Sequence, residues 1–290
     1  SLVISAVKDK FDGFNAVKMA DRDILDRRVM MEQHLISSDI LEKPDSYALI
    51  STDEEKSIML LEEDHIRIQV ISGGFDLQNA YKKAEEIDDA ISDKVEIAFS
   101  EKYGYLTACP TNTGTGLRAS IMMHLPALTM TGNIDRIIRS ATSLGLEVRG
   151  LYGEGSKATG SLYQLSNRVT LGVTEEETIQ KIEKITEQIK KSEEEARDKI
   201  KNLPELSDRL WRSFGTLKYA RKIESKEAKS LLSDYMLGRS MGIIDEEIKQ
   251  NPLELMVLTE VGNVLKIAGN ADLSADERDI KRAELLRSSV

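Results

Sequence analysis

The sequence has one cysteine, Cys109, so no disulfide can form within it. A reducing, cytoplasmic setting is the expectation. Histidines are scarce as well: His34, His65 and His124 lie far apart. Three scattered histidines and one cysteine do not make a structural zinc pattern. Long apolar runs are missing, so no membrane span is predicted. The start, Ser-Leu-Val-Ile-Ser-Ala-Val-Lys, lacks the layout of a signal peptide. Positive charge is in deficit, with 40 Lys and Arg against 50 Asp and Glu. General nucleic-acid or membrane-surface binding needs clustered positive charge and is disfavoured, although local basic pockets remain allowed.

What the sequence does have is a core-forming share of apolar residues, 40% of 290. That length accommodates one large domain and a smaller one. Residues 1–36 read as a strand followed by a helix centred on Ile24–Leu35. Residues 47–51 and 57–71 read as two strands. In the second, from Glu63 onward, residues alternate with period two: Ile66, Ile68 and Val70 on one face, Glu63, His65, Arg67 and Gln69 on the other. Asp76 is placed to cap a helix running to about Ser92. A strand near Tyr105–Ala108 leads into Cys109-Pro-Thr-Asn-Thr-Gly-Thr-Gly116, and a helix is expected from Leu117 to before Pro126. A further helix spans about 134–143 and stops at Gly145. Strands are expected at Leu146–Arg149 and Leu162–Val173. Thr174 and Glu177 form a capping box ahead of a long helix, about Glu175–Asn202. Past Pro204 strand signals end and everything reads as helix. The expected fold class is therefore α+β, an antiparallel sheet flanked by helices over residues 1–205, followed by a small all-helical domain over 206–290.

Three segments carry possible chemistry. On the Glu63 strand, three ionisable groups share a face opposite apolar residues. This pattern fits a solvated sheet edge as well as a site floor with a carboxylate for a cation and an arginine fork for phosphate. The Cys109 loop is rich in Gly and Thr and precedes the expected helix, whose free N–H groups would favour an anion. It lacks the Gly-Lys-Ser/Thr ending of a Walker A loop. A lone cysteine is more commonly a packing residue. The third segment, Val148-Arg-Gly-Leu-Tyr-Gly-Glu154-Gly-Ser156, reads either as a hairpin connection or as a loop delivering one acid, Glu154, to a site.

Taken together, Glu-Glu-Asp-His-Ile-Arg-Ile at 62–68, Cys-Pro-Thr-Asn-x-Gly-Thr at 109–115, Leu-Arg-Ala-Ser at 117–120 and Val-Arg-Gly-x-x-Gly-Glu at 148–154 resemble the phosphagen (guanidino) kinase family. Order and spacing agree over about 100 residues, and looser similarity continues through Ser166-Asn167 and Leu171-Gly172. Within the family, His-Leu-Ile-Ser at 34–37, Gly-Tyr-Leu-Thr at 104–107, Met-Met-His-Leu-Pro-Ala-Leu at 122–128, Tyr-Gly-Glu-Gly-Ser at 152–156 and Glu-Leu-Met-Val-Leu-Thr at 254–259 resemble the bacterial protein-arginine kinase branch. The helices after the catalytic part fit that branch too.

The resemblance implies ATP with Mg²⁺, and phosphate transfer to an arginine guanidinium. It assigns Glu63 and Glu154 to hold and deprotonate the guanidinium, and Cys109 to lie beside it. Arg67, Arg118 and Arg149, with His65 and Asp64, would serve the nucleotide side. Arg278, Asp279 and Arg282, in Arg-Asp-x-x-Arg-Ala, would form the branch's allosteric phosphoarginine-binding element. On pattern alone, Arg278 and Arg282 at i and i+4 read as a solvated helix face. Implied partners are a heat-shock repressor and other proteins with exposed arginines, a zinc-binding activator protein, a Clp-type unfoldase–protease and a second copy of the chain. Alternative readings are a kinase for free arginine or another small guanidine, and a catalytically impaired phosphoarginine-binding module. Two departures stand out. The family's Ser-Ser-Arg-x-Arg segment, whose arginines bind nucleotide phosphates, does not occur here, as though the chain started one strand and one helix too late. Met122 stands where small-molecule members tend to carry a histidine.

Overall fold

The apolar runs between residues 14 and 70 build one antiparallel sheet in the order β1 (Phe14–Lys18), β2 (Tyr47–Ser51), β3 (Lys56–Glu62) and β4 (His65–Val70). The computed structural model describes residues 1–150 and 158–290. Central strands β2 and β3 bury both faces, which explains their near-continuous apolar sequence. Leu49, Ile58 and Leu60 pack with Val3, Val7, Phe14, Ile87 and Ile91, whereas Ala48 and Met59 pack with Met19, Ile36 and Ile40 on the opposite side. Three helices belong to this unit: α1 (Leu2–Lys10), α2 (Ile24–Glu32) and α3 (Leu77–Ser92). Asp76 caps α3 as expected, its side chain accepting from the Asn79 N–H. A short pair, β5 (Phe99–Ser100) and β6 (Gly104–Tyr105), comes next.

The described chain divides into two compact units, one of residues 1–120 and 167–183, the other of 121–166 and 184–290. The second unit holds a three-stranded sheet ordered β7 (Ser120–His124), β9 (Leu162–Asn167) and β8 (Leu146–Gly150). Its helices are α4 (Pro126–Met130), α5 (Ile134–Ser143), most of α6 (Glu175–Ile200), and then α7 (Pro204–Tyr219), α8 (Ser225–Ser240), α9 (Pro252–Leu258), α10 (Val261–Ala268) and α11 (Ala275–Ser289). Residues past Pro204 are helical, as the sequence pattern predicts. Pro204 starts α7 at a position where a missing N–H costs nothing. Buried Glu193 of α6 accepts the backbone N–H groups of Ala127 and Leu128 at 3.0 and 2.9 Å, closing the start of α4. The Thr174–Glu177 box forms, with reciprocal bonds of 2.9 and 3.1 Å. Among the described residues no helix is long and apolar enough to cross a membrane.

Five expectations need correction. The strand expected over Leu162–Val173 ends at Asn167. Residues 2–10 are helical rather than extended: Ser1 caps the segment and Val3, Ala6 and Val7 form a buried i, i+3, i+4 stripe. Residues 57–71 are a hairpin, not one strand. Glu62 pairs with His65, and Glu63-Asp64 is the turn. The apparent period of two ran straight across that turn, so Glu63 does not share a strand face with Arg67. The expected strand over 105–108 shrinks to Gly104–Tyr105. Leu117–Leu125 is not a helix: Ser120–His124 is a strand. Its Arg, Ala and Met residues favour helix locally, but sheet pairing beside β9 outweighs a propensity of a few tenths of a kcal/mol per residue.

Candidate active site

The turn between β3 and β4 is built by its own carboxylates, each with a different task. Glu62, almost buried, accepts from Arg67 Nη1 at 3.1 Å and from the Glu63 backbone N–H at 2.7 Å. Asp64 reaches across to the Cys109 loop. Its Oδ1 accepts the Cys109 N–H at 2.8 Å, and its Oδ2 accepts from Asn112 Nδ2 at 2.7 Å. Glu63, between them, is exposed. Leu61 and His65, which flank the three acids, take left-handed backbone angles, φ 64° and 72°. Non-glycine residues in that region cost on the order of 1 kcal/mol or more each, and persist where surrounding contacts over-determine them. Here the carboxylate bonds and the β-bulge at Leu60/Glu62 supply those contacts.

The Cys109 loop is closed by threonines. Thr107 Oγ1 donates to the Cys109 carbonyl at 2.7 Å and lies 3.0 Å from Thr113 Oγ1. Thr170 Oγ1 lies 3.0 and 2.8 Å from the carbonyls of Thr111 and Thr113. Gly114, at φ 120°, lies against the Thr170 backbone so closely that a Cβ there would come within 2.1 Å of the Thr170 carbonyl oxygen. The loop thus requires glycine at this crossing. Cys109 is half-buried, with Sγ 3.1 Å from Thr111 Oγ1. Directly after it the chain makes one 3-10 turn, Pro110–Asn112, and not the helix N-terminus expected from the sequence. Tyr105 donates to Asp88 Oδ2 at 2.5 Å, and burial with that carboxylate pushes the phenol pKa upward.

Arg118 is exposed and bracketed by one side chain. Asn167, itself buried, accepts the Ala119 N–H at 2.9 Å and donates to the Leu117 carbonyl at 2.9 Å. A side-chain amide satisfying the backbone on both sides of one residue fixes where that residue projects. Glu62, Asn112, Asn167 and Thr170 are structural parts of this region to which sequence reasoning assigns no role. Their polarity is visible in the sequence, but their partners lie across the fold.

In the second unit Arg149 is exposed and pairs with Glu147 at 2.8 Å. Glu154 lies outside the described residues. Ser274 and Glu277 form a capping box at the start of α11. Arg278 donates to the Leu273 carbonyl at 2.7 Å. The solvated-face reading fails at Arg282, which is only 1% exposed. Its guanidinium donates to the carbonyls of Thr259 and Ile223, at 2.8 and 2.9 Å, and to Asp279 at 2.5 Å. Met122 is partly exposed in the middle of β7. Among the described residues no group of three or more His, Cys, Asp or Glu is gathered to hold a metal ion.

Comparison with known proteins matches the chain to one family. The ATP:guanido phosphotransferase C-terminal catalytic domain matches residues 2–196, and the protein-arginine kinase McsB C-terminal domain matches residues 204–290. The protein-arginine kinase of Bacillus velezensis is 47% identical over the whole of this chain and 82% of its own length. That of Bacillus subtilis is 49% identical over 96% of this chain and 77% of its own. Among solved structures, a lombricine kinase superposes with TM-score 0.59 at 22% identity, covering 67% of this chain and 57% of that one. The duplicated taurocyamine kinase of Schistosoma mansoni with bound transition-state analogue components gives TM-score 0.60 at 22% identity, covering 78% of this chain and 34% of that one. These last two speak for the fold alone. Matched over residues 2–196 and 204–290 by the two domains, the chain belongs to the ATP:guanido phosphotransferase family, in its protein-arginine kinase branch, and is a kinase.

Proposed function

We propose that the protein transfers the γ-phosphoryl group of ATP to the guanidinium of arginine side chains in other proteins. The observation that carries this reading is the Glu62-Glu63-Asp64 turn. Glu63 is left exposed while its two neighbours tie Arg67 on one side and the Cys109 loop on the other. A guanidinium stays protonated near neutral pH and is a poor nucleophile until a proton leaves. In our reading Glu63 binds two N–H groups of the substrate guanidinium, aims one nitrogen at the γ-phosphorus and accepts its proton. The N–P bond forms as the bond from the γ-phosphorus to the ADP oxygen breaks, and ADP carries away the electron pair. Positioning of this kind lowers barriers by roughly 7–11 kcal/mol. The family resemblance gives the second carboxylate to Glu154.

Arg67, Arg118 and Arg149, with His65, are read as the nucleotide side. Exposed guanidinium groups suit phosphate oxygens, which they bond in pairs. In this reading Mg²⁺ arrives with ATP, held largely by phosphate oxygens and water. Asp64 serves by holding the Cys109 loop. In the Arg278-Asp279-x-x-Arg282 element, the burial of Arg282 makes it a scaffold under a phosphoarginine site that Arg278 and Asp279 would contact. The partners that go with this reading are proteins with exposed arginines, a heat-shock repressor among them, a zinc-binding activator and a Clp-type unfoldase–protease. A homodimer through the C-terminal helices goes with it too, Leu253 being partly exposed there. The setting is cytoplasmic.

The test is intact-mass analysis at neutral pH of an unfolded protein such as casein after incubation with the protein, ATP and Mg²⁺. Phosphoryl groups on arginine that are lost in acid are expected. Absence of any mass gain, or acid-stable phosphate on hydroxyl side chains, would overturn the reading. Faster turnover of free arginine than of casein would move the assignment to a small-guanidine kinase.

A further inference from the structure

We infer that Glu62 is a positioning residue that sets Arg67 and Glu63 relative to one another. This rests on the reading of Glu63 as the acceptor-side carboxylate and Arg67 as a phosphate-side arginine. Three observations carry it. The first is an inversion of the usual surface ion pair: the Glu62 side chain is 8% exposed and its partner Arg67 is 47% exposed. The acid is the fixed end and the arginine the presented end. The second is that both carboxylate oxygens are used, on different targets. Oε1 takes Arg67 Nη1 and Oε2 takes the Glu63 N–H. One rigid planar group therefore links the guanidinium proposed for phosphate to the backbone of the residue proposed for the substrate. The third is the backbone. The left-handed angles at Leu61 and His65 bracket this link, and Glu62 pairs with His65 across the hairpin end.

The same geometry separates Glu62 from Glu63 chemically. Glu62 has its oxygens committed and is nearly buried, so it is not placed to take a proton from a substrate. Glu63 is exposed. Among the described residues Arg67 has one side-chain partner, through one of its nitrogens, which leaves the rest of the fork for a ligand.

Replacement by glutamine is diagnostic, because an amide has one acceptor oxygen where Glu62 uses two. In E62Q either Arg67 or the Glu63 N–H faces a donor. We expect the Kd for ATP, measured by calorimetry with Mg·ATP as titrant, to rise about tenfold, which corresponds to about 1.4 kcal/mol. The KM for ATP should rise with it. Thermal melting should fall by a few degrees at most, the other Glu62 bond being kept. In an R67A background E62Q should change ATP affinity less than twofold, since the residue acts through Arg67. E62D, with the charge but a shorter reach, should fall between wild type and E62Q. Three outcomes would overturn the proposal: unchanged ATP affinity in E62Q, an equal further loss of affinity on top of R67A, or a lowered kcat with no change in ATP Kd or KM. Failure of the parent reading looks different. A wild-type protein that binds ATP yet leaves arginine unphosphorylated refutes the function, while the calorimetric comparison still decides Glu62.

Discussion

Two arginines of this chain, Arg67 and Arg282, each pair with a carboxylate a few residues away, yet they belong to opposite categories. Arg67 is nearly half exposed and hangs from a buried acid by one bond. Arg282 is buried, and its guanidinium is spent on Asp279 and on two backbone carbonyls contributed by residues 23 and 59 positions away. Residue type and charge are the same in both places. What differs is how many of the five N–H donors the fold has already consumed. A consumed fork holds the protein together, and an unspent fork is available to phosphate.

The largest test of this contrast lies beside Arg67. Glu63→Gln keeps shape and polarity but removes the proposed base, and kcat should fall about a hundredfold to ten-thousandfold. Its unfolding midpoint in urea should stay close to wild type, because Glu63 is exposed. A loss of stability matching the loss of rate would put Glu63 on the structural side with Arg282. Next comes one substitution made at both arginines. Arg282→Met leaves two buried carbonyls and the Asp279 carboxylate without their donor, and should cost about 3 kcal/mol in urea unfolding. Arg67→Met removes a half-exposed arginine and leaves Glu62 its bond to the Glu63 N–H, so it should cost less, about 1 kcal/mol, while ATP affinity drops. Equal destabilisation by the two would erase the distinction.

The remaining test concerns pH in the second unit. His124 lies 2.8 Å from Ser233 Oγ, and burial, helped by the Arg197 charge, pulls its pKa down to about 4 from an ordinary value near 6.5. The unfolded chain therefore binds the proton first on acidification. His124's contribution is complete above pH 6.5 and is lost progressively as pH falls toward 4, amounting to up to about 2 kcal/mol by pH 5. His124→Gln should flatten that part of the urea stability–pH curve. Glu63→Gln, by contrast, should leave it unaltered.

Much of the architecture is readable from local signals. The capping boxes at Thr174 and Ser274, the cap at Asp76 and the change to all-helix after Pro204 are decided within one or two turns of chain. Two of the misreadings share a cause. At residues 57–71 and 117–125 a local pattern met a tertiary constraint. The Glu62-Glu63-Asp64 turn looked like more strand because period two does not register reversal of direction. Leu117–Leu125 looked helical because its residues favour helix when nothing is beside them. The site was legible as motifs in order, but the task of each charged group was not.

By itself, then, the sequence determined the family, the element types wherever capping and periodicity were strong, and the set of charged residues from which a site could be made. Only the tertiary structure decided how those charges are divided. It committed Glu62 to Arg67, Asp64 to a loop 45 residues away and Arg282 to carbonyls of other segments, and it left Glu63 exposed. The physical reason is that a hydrogen-bond donor or acceptor becomes available or spent through its neighbours in space, and those neighbours are set by folding rather than by proximity along the chain.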